Sequence, residues 1–411
     1  MSTINKTDTL ENKINAQSNN IISVTRRNAT HIITGYKARL QRVKFRLHIL
    51  KLALQTYGWK RSTFSMLKQL EQKRRIVHGE FPITKWVQSN DRIAFTLYNP
   101  GYPSQQCDDV LLEEMNRIAP SSVIARPIRF AHFAITKKCP LSCEHCFEWD
   151  NLNKKEILDY NDLRNIVLKL KQAGISQLHI SGGEPMLRVN DIVKLCEEFC
   201  NSMEFWILTA GYNLTKENAT RLKQAGVTGI IVSLDHYNKS MHNTFRQSKD
   251  AFDNAINAIK YARQADMVVA VTLCATKSFL TKENLYRYAS FAHSLNVSYI
   301  QLLEPKAVGH YAGKDVTINT EQIKILEDFY FEINNSPTYT HYPIVVYLGY
   351  YQRNAGCLAA GNRALYIDTN GDVLACTFCH IPSGNALRDE LMDVVNRMRK
   401  KGCSDYIASV L

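Results

Sequence analysis

The spacing of apolar positions changes twice along the chain. In YKARLQRVKFRLHILKLALQTY (36–57) it is helical: Leu40, Val43, Leu47, Leu50 and Leu54 share one face, while Lys37, Arg42, Lys44 and Arg46 lie mostly elsewhere. That stripe is expected to face a core. A second helix is predicted over 62–77. ITKWVQSNDRIAFTLY (83–98) then reads as a hairpin about Ser-Asn-Asp, ended by Pro100, Gly101 and Pro103. Residues 108–118 read as a short helix. These elements make a small α+β module.

From residue 131 the pattern alternates regularly. Strand-like runs are HFAIT (132–136), QLHIS (177–181), EFWILT (204–209), GIIVSL (229–234), MVVAVTLC (267–274) and SYIQLL (298–303). Helical runs lie between them, at about 159–173, 190–202, 215–225, 250–265 and 281–295. Strands that alternate with helices predict parallel βαβ units, wound right-handedly into an open sheet or a partial barrel. Either way, chemistry belongs at the C-terminal ends of the strands. After about 306 the alternation stops. A helix near 320–334, the strand-like YPIVVYL (342–348) and the hairpin ALYIDTNGDVLAC (364–376), turning at Asn370-Gly371, follow.

Charge sharpens this division. Residues 1–130 hold 21 Lys and Arg against 9 Asp and Glu, whereas residues 131–411 hold 30 against 29. From residue 12 to residue 70 there are twelve basic residues and no acid, a block that should attract an anion. With 411 residues, 45% apolar and 22% charged, the chain has the composition of a multidomain globular protein. No apolar run reaches the length of a membrane span, and the polar start has no signal-peptide core. A cytoplasmic location is therefore expected. There, eleven cysteines point to metal or redox chemistry rather than disulfides.

Three of those cysteines sit together after the first strand of the repeat, in ITKKCPLSCEHCFEW (135–149): Cys139, Cys143 and Cys146. Structural zinc wants four ligands, usually in two separated pairs, so this loop alone is a poor zinc site. A zinc knuckle completed by His145 or His132 stays open as an alternative. A four-iron cluster suits several thiolates from one loop, and three leave one iron free for a substrate or cofactor. One βα unit later the second strand ends in Ser181-Gly182-Gly183-Glu184-Pro185, and the fourth in Ser233-Leu234-Asp235 with His242 and Arg246 beyond. The spacing Cys-x3-Cys-x2-Cys-Phe, the GGEP segment and the SLD…H…R stretch together resemble the radical S-adenosylmethionine (radical SAM) family over about residues 130–305. The Ser-to-Arg interval is one residue longer here than in that family.

The resemblance implies an α/β fold with a partial (β/α)6 TIM-like barrel. It implies a [4Fe-4S] cluster on Cys139, Cys143 and Cys146, with S-adenosylmethionine (SAM) beside Phe147, Gly182, Gly183, Glu184, Ser233 and Arg246. It implies reductive cleavage of SAM to a 5′-deoxyadenosyl radical, which takes hydrogen from an unactivated carbon, and an electron donor such as a flavodoxin or ferredoxin. The C-terminal Cys357-x13-Gly371-x4-Cys376-x2-Cys379, with Cys403 beyond, resembles the SPASM and twitch extensions of the same family. A full SPASM extension has about seven cysteines and this one has four. A twitch-like domain is therefore expected, with a second [4Fe-4S] cluster on Cys357, Cys376, Cys379 and Cys403. Zinc in the same four thiolates is the alternative.

The expected domains are a lead-in (1–33), a basic accessory module (34–125), the radical SAM core (126–305) and the auxiliary-cluster domain (306–411). The basic module is open to three readings: a solvated face, a docking site for an acidic peptide, or attachment to an anionic surface. Nucleic acid is not expected, since no aromatic-interleaved basic motif is present. The substrate expected first is a ribosomally made peptide, oxidised or cross-linked. A small molecule such as a sugar, lipid or cofactor precursor is the second reading. A non-catalytic zinc-binding or scaffold protein is the third.

Overall fold

The computed structural model describes residues 30–120 and 128–403. Most of the lead-in, the expected boundary at 125/126 and residues 404–411 lie outside the described residues.

The N-terminal module is β1 (His31–Ile33), α1 (Gly35–Tyr57), α2 (Arg61–His78), β2 (Trp86–Ser89), β3 (Arg92–Ala94) and α3 (Gln105–Ile118). Its three short strands form an antiparallel sheet in the order β1-β2-β3. The period of α1 matches the sequence reading, but its orientation does not. Leu40, Val43 and Leu47 are 50%, 52% and 60% exposed, and the buried residues of α1 are Ala38 and Ala53. Small side chains let α1 approach its neighbours closely, so the packed face follows the alanines; Leu40, Val43 and Leu47 face solvent, while Leu50 and Leu54 of the predicted stripe are half-buried.

The second sheet has ten strands. The core strands are β4 (Phe130–Ala134), β5 (Gln177–Ser181), β6 (Glu204–Thr209), β7 (Val227–Ser233), β8 (Val268–Cys274) and β9 (Tyr299–Leu303). They pair in parallel in chain order. Helices α4 (Tyr160–Gln172), α5 (Val189–Phe199), α6 (Lys216–Gln224), α8 (Ala251–Gln264) and α9 (Lys282–Ser294) occupy the connections, and a further helix, α7 (Lys239–Arg246), follows β7. The sequence pattern did not reveal α7. Several helix starts are fixed by local chemistry: Asp159 closes a capping box on α4, and Thr215 and Thr281 cap α6 and α9.

The sheet does not stop at the expected 305/306 boundary. Beyond α10 (Thr320–Asn335), β10 (Ile344–Tyr347) joins β9 in parallel. After α11 (Leu348–Ala355), β11 (Ala364–Ile367) returns to the opposite edge and pairs in parallel with β4. β12 (Asp372–Leu374) and β13 (Gly384–Asn385) extend that edge antiparallel, and α12 (Leu391–Lys401) follows. The C-terminal extension thus shares the sheet of the core.

Alternate residues of these strands face opposite ways. Leu178, Ile180, Phe205, Ile207, Ile230 and Val232 belong to the large core shared with the helices. Phe130, Trp206, Val268, Tyr299, Ile344 and Ala364 meet in one interior cluster. Side chains from β4, β6, β8, β9, β10 and β11 can meet only if the sheet curls around them, which makes a partial barrel. Val87, Leu97 and Tyr98 of the N-terminal module join the same cluster. Most of its barrel residues lie at or near strand starts, so the module plugs the end opposite the cysteine loop. Gly101 N–H donates to Glu204 at 2.9 Å and Tyr299 Oη to the Ala94 carbonyl at 3.1 Å, closing that end.

Candidate active site

The cysteine loop leaves β4 at the C-terminal end of the barrel and is pinned from several sides. Gly183 and Glu184 N–H donate to the carbonyls of Thr136 and Lys138, both at 2.7 Å. Glu144 N–H donates to Phe245 O at the end of α7 (3.1 Å), and His310 N–H to Cys146 O (2.9 Å). Asn153 holds Cys139 twice, accepting from its N–H at 3.0 Å and donating to its carbonyl at 3.1 Å. His310 Nδ1 also lies 2.9 Å from Cys143 O, and its ring stacks on Trp149 at 3.8 Å between centroids.

The two glycines after β5 have a defined reason to be glycine. A Cβ on Gly182 would lie 2.7 Å from Thr136 O, and one on Gly183 would lie 2.3 Å from Lys138 O. Those sites are filled by the backbone of the cysteine loop itself, so the pair first serves the packing of loop on strand. Gly309 does the same from the β9 side: a Cβ there would lie 2.3 Å from Cys146 O.

Cys143 is buried, and Cys139 and Cys146 are half-buried. Burial pushes the Cys139 and Cys146 thiols up to about 12, and raises Cys143 as well. Bare, they would be neutral at physiological pH. Each feels its neighbours' charge, so the three are close. Yet among the described residues no three Cys, His, Asp or Glu side chains converge where a metal ion could sit. Three thiols close together on one loop fit three corners of a four-iron cluster.

The other sequence candidates surround this loop. Glu184 is buried and fully engaged: it accepts from Thr209 Oγ1 (2.6 Å), Ala210 N–H (2.9 Å) and Met186 N–H (3.1 Å). Burial raises its pKa to about 7, partly offset by those donors. Arg246 is buried. Its Nε donates to Asp235 at 2.7 Å, and its Nη1 points at Cys143 Sγ at 3.6 Å. Burial works against the Arg246 charge, but Asp235 and Cys143 outweigh it and push the pKa above the usual arginine value. Burial also works against the Asp235 carboxylate, and Arg246 reverses this, holding the group below its ordinary pKa. Ser233 ends β7, in register with Thr272 of β8. Phe147 is half-buried, edge-on to Tyr366 of β11 at 5.9 Å.

The structure also brings the C-terminal cysteines together. The Cys357 and Cys403 side chains lie close enough to feel each other's charge, and Cys376 lies within reach of Cys379 and Cys403. Burial comes first in raising Cys357 to about 12, with Cys403 adding to it. The extension touches the first loop through Lys137 Nζ on Asn370 (2.7 Å) and Tyr366 Oη on Glu148.

Sequence reasoning missed Asn153, Glu148, Gly309 and His310 as supports of the loop. Gly309 and His310 follow β9, on the barrel face where site-forming loops belong. That position was the available signal.

Comparison with known proteins agrees with this geometry. Residues 133–287, the barrel part of the chain, match the model of the Radical SAM superfamily. A GTP 3′,8-cyclase of Campylobacter jejuni (strain RM1221) is 28% identical over 186 residues, covering 44% of this chain and 57% of the relative. One of Aliarcobacter butzleri (strain RM4018) is 24% identical over 212 residues, covering 49% and 62%. The chain therefore spans about three fifths of those relatives. Among solved structures, Streptococcus suis SuiB bound to its precursor peptide SuiA superposes with a TM-score of 0.56 at 17% identity, covering 81% of this chain and 77% of SuiB. AdoMet-bound anSMEcpe gives 0.53 at 15% identity, covering 67% and 82%. At these identities the likeness is one of fold.

Proposed function

We propose that this protein is a radical SAM enzyme that takes hydrogen from an unactivated carbon of a ribosomally made peptide, leading to its oxidation or cross-linking. The observation that carries the reading is the convergence of two cysteine sets on one sheet. The loop set stands at the C-terminal end of the barrel, and Cys357, Cys376, Cys379 and Cys403 are held on its extended edge. Peptide as substrate is supported by extent of likeness. SuiB, whose structure contains a precursor peptide, shares the fold over 81% of the chain.

Bound to Cys139, Cys143 and Cys146, a four-iron cluster with SAM supplies a one-electron reductive cleavage that yields a 5′-deoxyadenosyl radical. The chain's own residues hold that chemistry in place. Gly182 and Gly183 keep the loop against β5, Glu184 fixes the end of β5 to the start of the next loop, and Ser233 stands at the mouth. Three of the five N–H groups of Arg246 have partners in Asp235 and Cys143, leaving two for the cofactor carboxylate. His310, stacked on Trp149, braces the loop at Cys143 and Cys146, and Phe147 packs it against Tyr366. Cys357, Cys376, Cys379 and Cys403 would hold a second cluster in a twitch-like domain, and a flavodoxin- or ferredoxin-type donor would supply electrons.

The GTP cyclase relatives make a small-molecule substrate the second reading. The test is anaerobic reconstitution followed by assay of 5′-deoxyadenosine with peptides encoded beside the gene and with GTP. Peptide-dependent turnover and a mass change in the peptide are expected. Turnover that responds to GTP and to no peptide would overturn the peptide reading.

A further inference from the structure

A cavity of about 550 Å³ lies within the N-terminal module, bounded by α1, α2, α3 and α11. It falls within the size range of ligand sites. It also explains why the module has no single core. Ala53, Met66 and Met115 form one apolar cluster and Ile33, Ala38, Trp86 and Ile93 another. Partly buried members of both, including Ile49, Leu67 and Leu70 from the first and Phe45 from the second, line the space between.

The rest of the wall is cationic: seven Lys and Arg side chains against Glu71 and Glu114. Glu114 is matched by Arg129 and Arg363, and Glu71 by Arg74, Arg46 and Arg75, the last also reaching Glu80, so the cations outnumber the acids. Arg46 and Arg75 are 58% and 52% exposed and stand at the mouth. Lys73 is half-buried on the wall, its pKa lowered by burial, and makes no hydrogen bond or ion pair among the described residues. An apolar chamber with an unpaired cation in its wall and a basic rim is complementary to one class of ligand.

We propose that this cavity binds an amphipathic anion: one alkyl- or prenyl-type chain in the apolar chamber, with its carboxylate or phosphate at Lys73 and the rim arginines. The site is separate from the cysteine loop, because the module sits at the opposite end of the barrel.

The test uses the reconstituted full chain and isothermal titration calorimetry with dodecyl phosphate below its micelle concentration. Saturable one-to-one binding is expected, at least about tenfold weaker in Lys73→Glu and in the cavity-filling Leu70→Trp. Dodecanol and inorganic phosphate, each lacking one half of the ligand, should also bind at least about tenfold more weakly. Because Lys73 lies within reach of the Glu114 carboxylate, Lys73→Gln, which adds no like charge there, is the control: its melting temperature without ligand should match wild type while its binding weakens in the same direction. Equal affinity in both variants, inorganic phosphate binding as tightly as dodecyl phosphate, or no saturable binding would each overturn the proposal. Capture only by vesicles of phosphatidylcholine with phosphatidylglycerol, with no binding of the soluble monomer, would overturn it too. That result would place the contact on the exposed Leu40–Val43–Leu47 stripe of α1.

Discussion

The two cysteine sets reach proximity by opposite routes. Cys139, Cys143 and Cys146 come from one loop of eight residues, shaped by backbone contacts from the ends of β5, α7 and β9. Cys357 and Cys403 are far apart in sequence and meet only because β11 crosses to the far edge of the sheet and α12 folds back beside it. The first set is a local motif held by neighbours, and the second is a product of topology. Damage to one should therefore leave the other standing, and damage to the first should act through the backbone of its supports as well as through its thiols.

The largest effect tests that independence directly. Replacing Cys139, Cys143 and Cys146 by Ala should lower iron from about eight to about four per chain and reduce 5′-deoxyadenosine formation to the blank. Loss of all iron would mean that the second set depends on the first, and the contrast would collapse.

Next comes Arg246→Met. The side chain of Asp235 is only 3% exposed, so removing its partner leaves a buried carboxylate uncompensated, at a cost of about 3–5 kcal/mol. Because Arg246 holds Asp235 below its ordinary pKa, the pair's contribution is complete above about pH 4 and is lost only as pH falls through the folded value. In the variant, burial acts on Asp235 without Arg246 to oppose it and raises its pKa, so the melting-temperature gap should be widest at neutral pH and shrink steadily as pH falls towards about 4. A gap that stays constant down to about pH 4 would show that Arg246 does not compensate a buried carboxylate.

Gly183→Ala should do less to stability and more to geometry. Its Cβ would lie 2.3 Å from the Lys138 carbonyl, so the loop must move. A displacement near 1 Å at a reacting centre costs about a hundredfold, and turnover should fall by that order while iron at the second set is unchanged. Wild-type turnover would show that the glycine pair is not what seats the loop.

How much of this was legible follows the same contrast. Cys-x3-Cys-x2-Cys, the GGEP segment and the βα alternation are local spacings, and the structure keeps them nearly in register. The Asp235–Arg246–Cys143 contact, the grip of Asn153 on Cys139 and the cover by Gly309 and His310 are meetings of separate loops, which no periodicity encodes. YPIVVYL and ALYI were readable as strands. That they extend both edges of the core sheet depends on which edges the crossovers left free. In α1 the helical period was readable but its buried face was not: Ala38 and Ala53, not the leucines, set the close approach. Cysteine spacing suggested a set near the C-terminus, and folding brought Cys403, the member farthest along the chain, near Cys357.

Cys403 therefore supplies the smallest and sharpest test. If the second set were as self-sufficient as the first, three thiols would hold the cluster and the fourth would only tune it. Cys376 sits at the hairpin end, where its sulfur accepts from Phe378 N–H at 3.4 Å, and it feels both Cys379 and Cys403. Cys403 lies just beyond α12, near Cys357. Cys376→Ser should release about four irons per chain, whereas Cys403→Ser should retain most of them and shift the electron paramagnetic resonance signal of the reduced second cluster. An unchanged signal in Cys403→Ser would place that thiol outside the ligand set. Loss of about four irons in both variants would make the second set a four-thiolate site with no spare member, which leaves no open iron there for a substrate to reach.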